Sequence, residues 1–342
     1  MNFFKLFLPI LILIFLFSCS QVSGPKDNQP EWENITYNLA GEDIYNLVTY
    51  NNEIYVSTKK SIYRLNSKTW NFVASITRNI ADFTFKNDTL IVLSGNGQVF
   101  FLSDNDSLIE KYNANMDILP SYKIVIKEND IYVGSFGQGQ INPQPGWEHL
   151  RFGLAKMNED QNTYYPMENF NTQYSVEQML RIKNSIYIGT TITTSYFIGL
   201  FENDRLIPIG IDEKSLGCYS MFALNEILMV GTDGKILKYQ NENFQVYNKP
   251  LPTIQNTSLE DKAISLCAIE DELIVGTIHN GILKYNDEKT IWKNITSEKL
   301  PSGYSINALQ NCNENLYSLL GTFNSFDHPK SEFIYKLKYI TN

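Results

Sequence analysis

Side chains able to do chemistry are few in this chain. Its three histidines are His149, His279 and His328. Three imidazoles could ligate a zinc ion, but no two of these are closely spaced, so no metal site is expected. Asp82 and Glu177 could be imagined as an acid–base pair, which needs a separation that spacing alone does not supply. No serine–histidine–aspartate arrangement is recognisable, and the glycines that follow several apolar pentads lack the lysine–serine pair of a phosphate loop. What remains is suited to recognition. Trp147, His149 and Arg151 lie close together, Phe326 and His328 form a second group, and Tyr196 falls in a third extended segment. Indole and phenyl rings stack on sugars or anchor protein partners. These six residues are the candidate ligand contacts. No cofactor is expected.

The elements that would position them repeat. An apolar pentad recurs as Ile54-Tyr55-Val56-Ser57-Thr58, Leu90-Ile91-Val92-Leu93-Ser94, Ile131-Tyr132-Val133-Gly134-Ser135, Ile186-Tyr187-Ile188-Gly189-Thr190, Leu228-Met229-Val230-Gly231-Thr232 and Leu273-Ile274-Val275-Gly276-Thr277. A seventh copy begins at Leu316 and closes with Leu320-Gly321-Thr322 after a bulge. Successive starts are 36, 41, 55, 42, 45 and 43 residues apart. β-branched and aromatic residues dominate and no helical period is sustained, so the chain is all-β, with a repeat of propeller-blade length. A third strand follows each pentad, as in Ile62-Tyr63-Arg64-Leu65-Asn66 and Ile282-Leu283-Lys284-Tyr285-Asn286. A fourth often carries an aromatic: Trp70, Tyr112, Tyr164, Phe244, Trp292. The seventh copy ends after its third strand, while Trp32-Glu33-Asn34-Ile35-Thr36 nearly repeats Trp292-Lys293-Asn294-Ile295-Thr296. A seven-bladed ring of four-stranded blades, closed by its own N-terminal strand, is the expected architecture over residues 31–342.

In the first strands, Leu47, Phe83, Ile124, Met179, Met221, Leu266 and Leu309 form an apolar column. The column before it holds Asn46, Asp82, Lys123, Gln178, Ser220, Ser265 and Ala308. Because first strands are innermost in a propeller, the six polar members are candidate channel-lining residues, wetted by water alone on the simplest reading. Strand direction alternates, so first-to-second and third-to-fourth turns share one face. These are short, as at Asn51-Asn52, Asn129-Asp130, Asn184-Ser185 and Asn203-Asp204. The other face carries the long connections and all three histidines, and long loops on a rigid scaffold are where binding resides.

These motifs, such as Leu273-Ile274-Val275-Gly276-Thr277 followed by Gly281-Ile282-Leu283-Lys284-Tyr285-Asn286, resemble the two-component-regulator-propeller repeat and related quinoprotein-like or kelch-like blades. The resemblance implies the fold over nearly all of residues 31–342 and little about function, since such blades serve sensors, scaffolds and enzymes alike.

The first residues give an address. Lys5 precedes an apolar run from Leu6 to Phe17, too short to span a bilayer, and Leu16-Phe17-Ser18-Cys19 follows. This looks like the lipobox of bacterial lipoproteins. The resemblance implies a signal peptide over 1–18, lipidation of Cys19 and membrane attachment through the lipid. Residues 19–30 would then be the lipidated cysteine and a flexible tether. Ser20 after the cysteine points to the outer membrane by similarity to the sorting rule of enteric bacteria, on either its periplasmic or its outer side. The chain has a net charge of −9 and no basic run, which argues against nucleic-acid partners. Cys218, Cys267 and Cys312 have no disulfide-like spacing, and no bridge is expected. The reading is an envelope lipoprotein that binds a protein or glycan through its long-loop face. A carbohydrate-active lyase or hydrolase with its site at the channel mouth, and an accessory subunit of an envelope complex, are the alternatives.

Overall fold

The structure is a computed structural model. It describes residues 31–103, 107–113, 121–138, 153–159, 162–165, 173–191, 196–210, 217–255, 257–286, 289–296, 300–301, 303–323 and 330–338. Antiparallel pairing gathers their strands into seven sets of four. The first is Ile44–Tyr50, Glu53–Thr58, Ser61–Asn66 and Thr69–Ser75. The second runs from Ile80–Lys86 to Leu108–Asn113, the third from Ser121–Lys127 to Thr163–Tyr165, and the fourth from Gln173–Ile182 to Arg205–Pro208. The fifth spans Ser220–Leu224 to Asn243–Val246 and the sixth Ala263–Ile269 to Ile291–Asn294. The seventh has three consecutive strands, Ser305–Cys312, Asn315–Thr322 and Lys330–Lys338, and takes its outer strand, Trp32–Asn34, from the N-terminal side. Each first strand contacts the first strand of the next set, and the seventh contacts the first, so the β-propeller ring is closed.

Two-residue turns set the hairpins. Both central residues have positive φ at Asn51-Asn52, Asn87-Asp88, Asn203-Asp204, Asn225-Glu226 and Asn313-Glu314. Asparagine tolerates this geometry and matches the twist of the flanking strands. Two turns lie one residue earlier than the sequence suggests. The third and fourth blades turn at Glu128-Asn129 and Lys183-Asn184, with positive φ at Glu128 and Lys183. Asparagine sits second there rather than first.

Seven apolar clusters hold the ring, one between each neighbouring pair of blades. Burial on both faces of every sheet explains why the second strands are nearly continuous apolar runs. The glycine after them has a packing reason. A Cβ on Gly276 would collide with Ser265 Oγ and with Ile306 of the next blade, and one on Gly231 would collide with Ser220 Oγ and with the Ala263 carbonyl.

At the seam, the near-repeat of sequence becomes a repeat of bonds. Ile295 N–H donates to Ile282 O at 2.9 Å, and Ile35 N–H to Ile334 O at 2.8 Å. Thr296 Oγ1 accepts from Ile282 N, and Thr36 Oγ1 from Ile334 N. Asn294 and Asn34 each accept from the threonine N–H two residues on. Each fourth-strand tryptophan also reaches back one blade. Trp292 Nε1 donates to Lys249 O, Trp32 Nε1 to Ile295 O, and Trp70 Nε1 to Ile35 O at 2.8 Å. The interrupted seventh blade is therefore joined as the continuous sixth is.

A second ring of bonds locks the short-turn end of the blades. Going round from the first, Tyr50 and Asn51 donate to Asp88, Lys86 to Asn129 O, and Arg181 to Ile126 O. Lys183 pairs with Glu226, Asn225 donates to Asp271, Asn311 to Ala268 O, and Asn313 to Asn52 O. All seven interfaces are crossed.

Candidate ligand-binding mouth

The polar first-strand column is built into the inter-blade seams. Asn46 donates to Ala81 O of the next blade at 3.3 Å, and Gln178 to Tyr219 O at 3.1 Å. Ser220 Oγ donates to Ala263 O at 2.8 Å, and Ser265 Oγ to Ile306 O at 2.7 Å. Asp82 accepts from Ile124 N at 3.2 Å and lies 3.8 Å from Lys123 Nζ. Burial pushes the Asp82 carboxyl above its usual range, against the pull of Lys123 and of the Ile124 and Phe83 amides. A buried carboxylate already committed to the next blade is a poor half of an acid–base pair with Glu177.

A bulge precedes this column. Pairing slips between Ile44 and Asn46, Ile80 and Asp82, Ser121 and Lys123, Val176 and Gln178, Ala263 and Ser265, and Ile306 and Ala308. In the fifth blade Tyr219 N donates to Gly231 O while Ser220 is the residue paired with Gly231, the same two-against-one arrangement. A bulge inserts one residue and re-aims it. The inserted residues include Tyr45, Glu177, Tyr219 and Asn307, at the loop-face end of the innermost strands.

Tyr219 shows what this does. Its hydroxyl lies 3.2 Å from both carboxylate oxygens of Asp233 and accepts from Lys262 Nζ at 2.7 Å. The same ammonium sits 4.6 Å from the centre of the Tyr219 ring and 3.7 Å from Asp233 Oδ1. Gly217 N also donates to Asp233, at 3.1 Å. The ring meets Phe323 of the seventh blade edge-on, with centroids 6.2 Å apart. Residues of the fifth, sixth and seventh blades thus converge on the loop-side mouth, and all four side chains are half-buried. Below them, fully buried Asp261 accepts from the N–H groups of Lys262, His279 and Asn280, which fixes the loops that carry Lys262 and His279. Two rings, an ammonium and a carboxylate on a rigid frame can stack on a flat apolar face and hydrogen-bond polar groups at its edge.

Of the six ligand contacts expected from sequence, Trp147, His149, Arg151, Phe326 and His328 lie outside the described residues. Tyr196 begins the third strand of the fourth blade. Tyr219, Asp233, Lys262 and Phe323 were not singled out by sequence. The signal that could have found Tyr219 is the extra residue ahead of each polar column position. Among the described residues, no group of three or more His, Cys, Asp or Glu side chains could hold a metal. Cys218, Cys267 and Cys312 are buried free thiols.

No protein-family model matches the chain, and no curated protein sequence matches it. Solved structures do. The extracellular domain of the one component system BT4673 from B. thetaiotaomicron is similar with a TM-score of 0.66 at 13% identity, over 92% of this chain and 40% of that one. YCF48 bound to D1 peptide gives 0.64 at 11% identity, covering 93% and 97% of the two chains. The WD40 propeller domain of Doa1 gives 0.59 at 10% identity, covering 90% and 96%. At such identities the likeness establishes the β-propeller fold.

Proposed function

We propose that the protein is an outer-membrane lipoprotein, anchored through Cys19, whose propeller binds a glycan or protein segment at the loop-side mouth. The observation that carries this reading is the opposition of the two faces. The short-turn face is laced shut around the whole ring. Trp32 pairs with Leu337, close to the short-turn end of its sheet, so the chain enters the ring from that side. Twelve residues from Cys19 to Glu31 reach at most about 40 Å, so a lipid on Cys19 would hold the ring near its membrane. Two of the similar structures support a role in recognition outside the cytoplasm: one is an extracellular domain and the other holds a peptide.

The test is binding of the mature protein to glycan and peptide arrays, followed by the Tyr219→Ala/Phe323→Ala variant. Losing both rings should weaken any ligand found by about thirtyfold, the scale of an interface hot spot. Phe323→Ala alone, which removes no hydrogen bond of the triad, should give a smaller loss in the same direction. A ligand that binds the double variant as tightly as the parent would move the site away from the mouth.

A further inference from the structure

The connection from the fifth to the sixth blade builds a finger beside the mouth. Residues 252–255 and 257–261 run antiparallel. Thr253 bridges Glu260, and Ile254 N donates to Leu259 O at 2.9 Å. Thr257 closes the turn. Its N and Oγ1 both donate to Ile254 O, at 3.0 and 2.9 Å, and Oγ1 accepts from Leu259 N at 3.2 Å. The base is fixed to two blades. Leu251 N donates to Gly234 O and Gly234 N to Asp261 O, both at 2.7 Å. Asn280 Nδ2 donates to Pro252 O at 3.0 Å, and the buried Asp261 carboxylate accepts from Asn280 N at 2.7 Å. Glu260 lies so close to Gly234 that a Cβ on that glycine would collide with it.

This stiff finger carries apolar side chains. Ile254 and Leu259 stand opposite each other, so their side chains share one side of the hairpin. Leu259 is 63% exposed, more than any other large apolar side chain among the described residues. Residues 250–259 include no charged side chain. A single exposed leucine is ordinary on a protein surface. This one is paired with Ile254 and stands next to the mouth. It precedes Lys262, whose ammonium bonds the Tyr219 hydroxyl, by three residues, so their Cα atoms are at most about 11 Å apart.

The polar atoms of the mouth are already bonded to one another. The Tyr219 hydroxyl donates to Asp233 and accepts from Lys262, and Asp233 also accepts from Gly217 N. A sugar needs donors and acceptors around its ring, whereas Tyr219, Phe323, Ile254 and Leu259 offer apolar surface. We propose that finger and mouth together bind an extended protein segment with two apolar side chains two residues apart. One meets Ile254 and Leu259, and the other meets Tyr219 and Phe323. In an extended chain such side chains point the same way about 7 Å apart, a separation that the finger and the rings can both reach. The proposal rests on the loop-side mouth being the binding site, and it narrows the ligand there to protein.

The experiment uses the full chain in neutral detergent. The probes are nine-residue peptides of Gly, Ser and Thr with Leu and Phe two positions apart, the same peptides with Leu and Phe adjacent, and the same with Ser at both positions. Dextran and polygalacturonate are the glycan probes. The alternating peptide should bind best, because adjacent side chains of an extended chain point to opposite sides. Leu259→Ser should weaken its binding about tenfold, and Leu259→Met should keep most of it. The side chain is exposed, so both variants should melt like the parent. The Tyr219→Ala/Phe323→Ala variant should weaken the same peptide. Equal binding of the alternating and adjacent peptides, or equal binding by Leu259→Ser, would overturn the proposal. Glycan binding that needs the two rings but not Leu259 would overturn it and leave the mouth reading standing. Peptide binding that needs Leu259 but not the rings would overturn both.

Discussion

A chain lacking residues 31–40 should fail to form a stable monomer, whereas one lacking residues 20–30 should melt within about 2 °C of the parent. Deleting residues 20–30 leaves every described residue of the ring in place. Deleting residues 31–40 removes Trp32, Ile35 and Leu39, all at most 2% exposed and placed in the two clusters that flank the seventh blade. Losing three such side chains costs on the order of 10 kcal/mol, comparable to the whole stability of an ordinary domain. The deletion also leaves the Lys330–Lys338 strand as an open edge and strips Trp70 of its Ile35 acceptor. Thermal melts and size-exclusion profiles of the two deletions would show the difference. Similar melting by both would mean that the N-terminal strand does not close the ring.

Trp70→Ala should cost about 3–5 kcal/mol and lower the melting temperature by roughly 5–8 °C. The ring is 1% exposed, in the cluster between the seventh and first blades. Its indole N–H is bonded to the N-terminal segment, and its backbone N–H and carbonyl are both bonded by the Asn38 side chain. One residue thus ties the first blade to the closing strand three ways, of which alanine removes the cavity-filling ring and the indole bond. Trp70→Phe refills much of the cavity without the N–H donor, so it should recover most of the loss. If Trp70→Ala melted like the parent, the seam would not be carrying the ring's stability.

The fold was legible because its signals are local. Each apolar pentad bounded by a polar turn specifies a hairpin, and seven of them at blade length specify a propeller. The Trp-x-Asn-Ile-Thr near-repeat even foretold the seam, since the same residues make the same bonds at Thr36 and Thr296. The site was less legible because its determinants are not local. The polar column was expected to line the channel, and its bonds to the next blade were not foreseen. Its members Asn46, Gln178, Ser220 and Ser265 bond to main-chain carbonyls about 40 residues away, and a carbonyl leaves no trace in side-chain sequence. The bulge ahead of that column breaks strict alternation by one residue, so Tyr219 was passed over. Its partners Asp233, Lys262 and Phe323 come from three different blades and are joined only once the ring closes. Asp82 and Glu177, which sequence spacing alone could not pair, are not an acid–base pair: Asp82 is committed to Ile124.

The claim on which the functional account rests is that the loop face, and not the short-turn face, meets the ligand. Photo-reactive side chains placed one at a time answer it directly in intact cells. Thr77 and Phe323 report from the loop face, and Asn52 and Asn225 from the turns at the other end. Light-dependent adducts to envelope glycan or protein are expected from the first pair only. Adducts formed chiefly from Asn52 and Asn225 would contradict it.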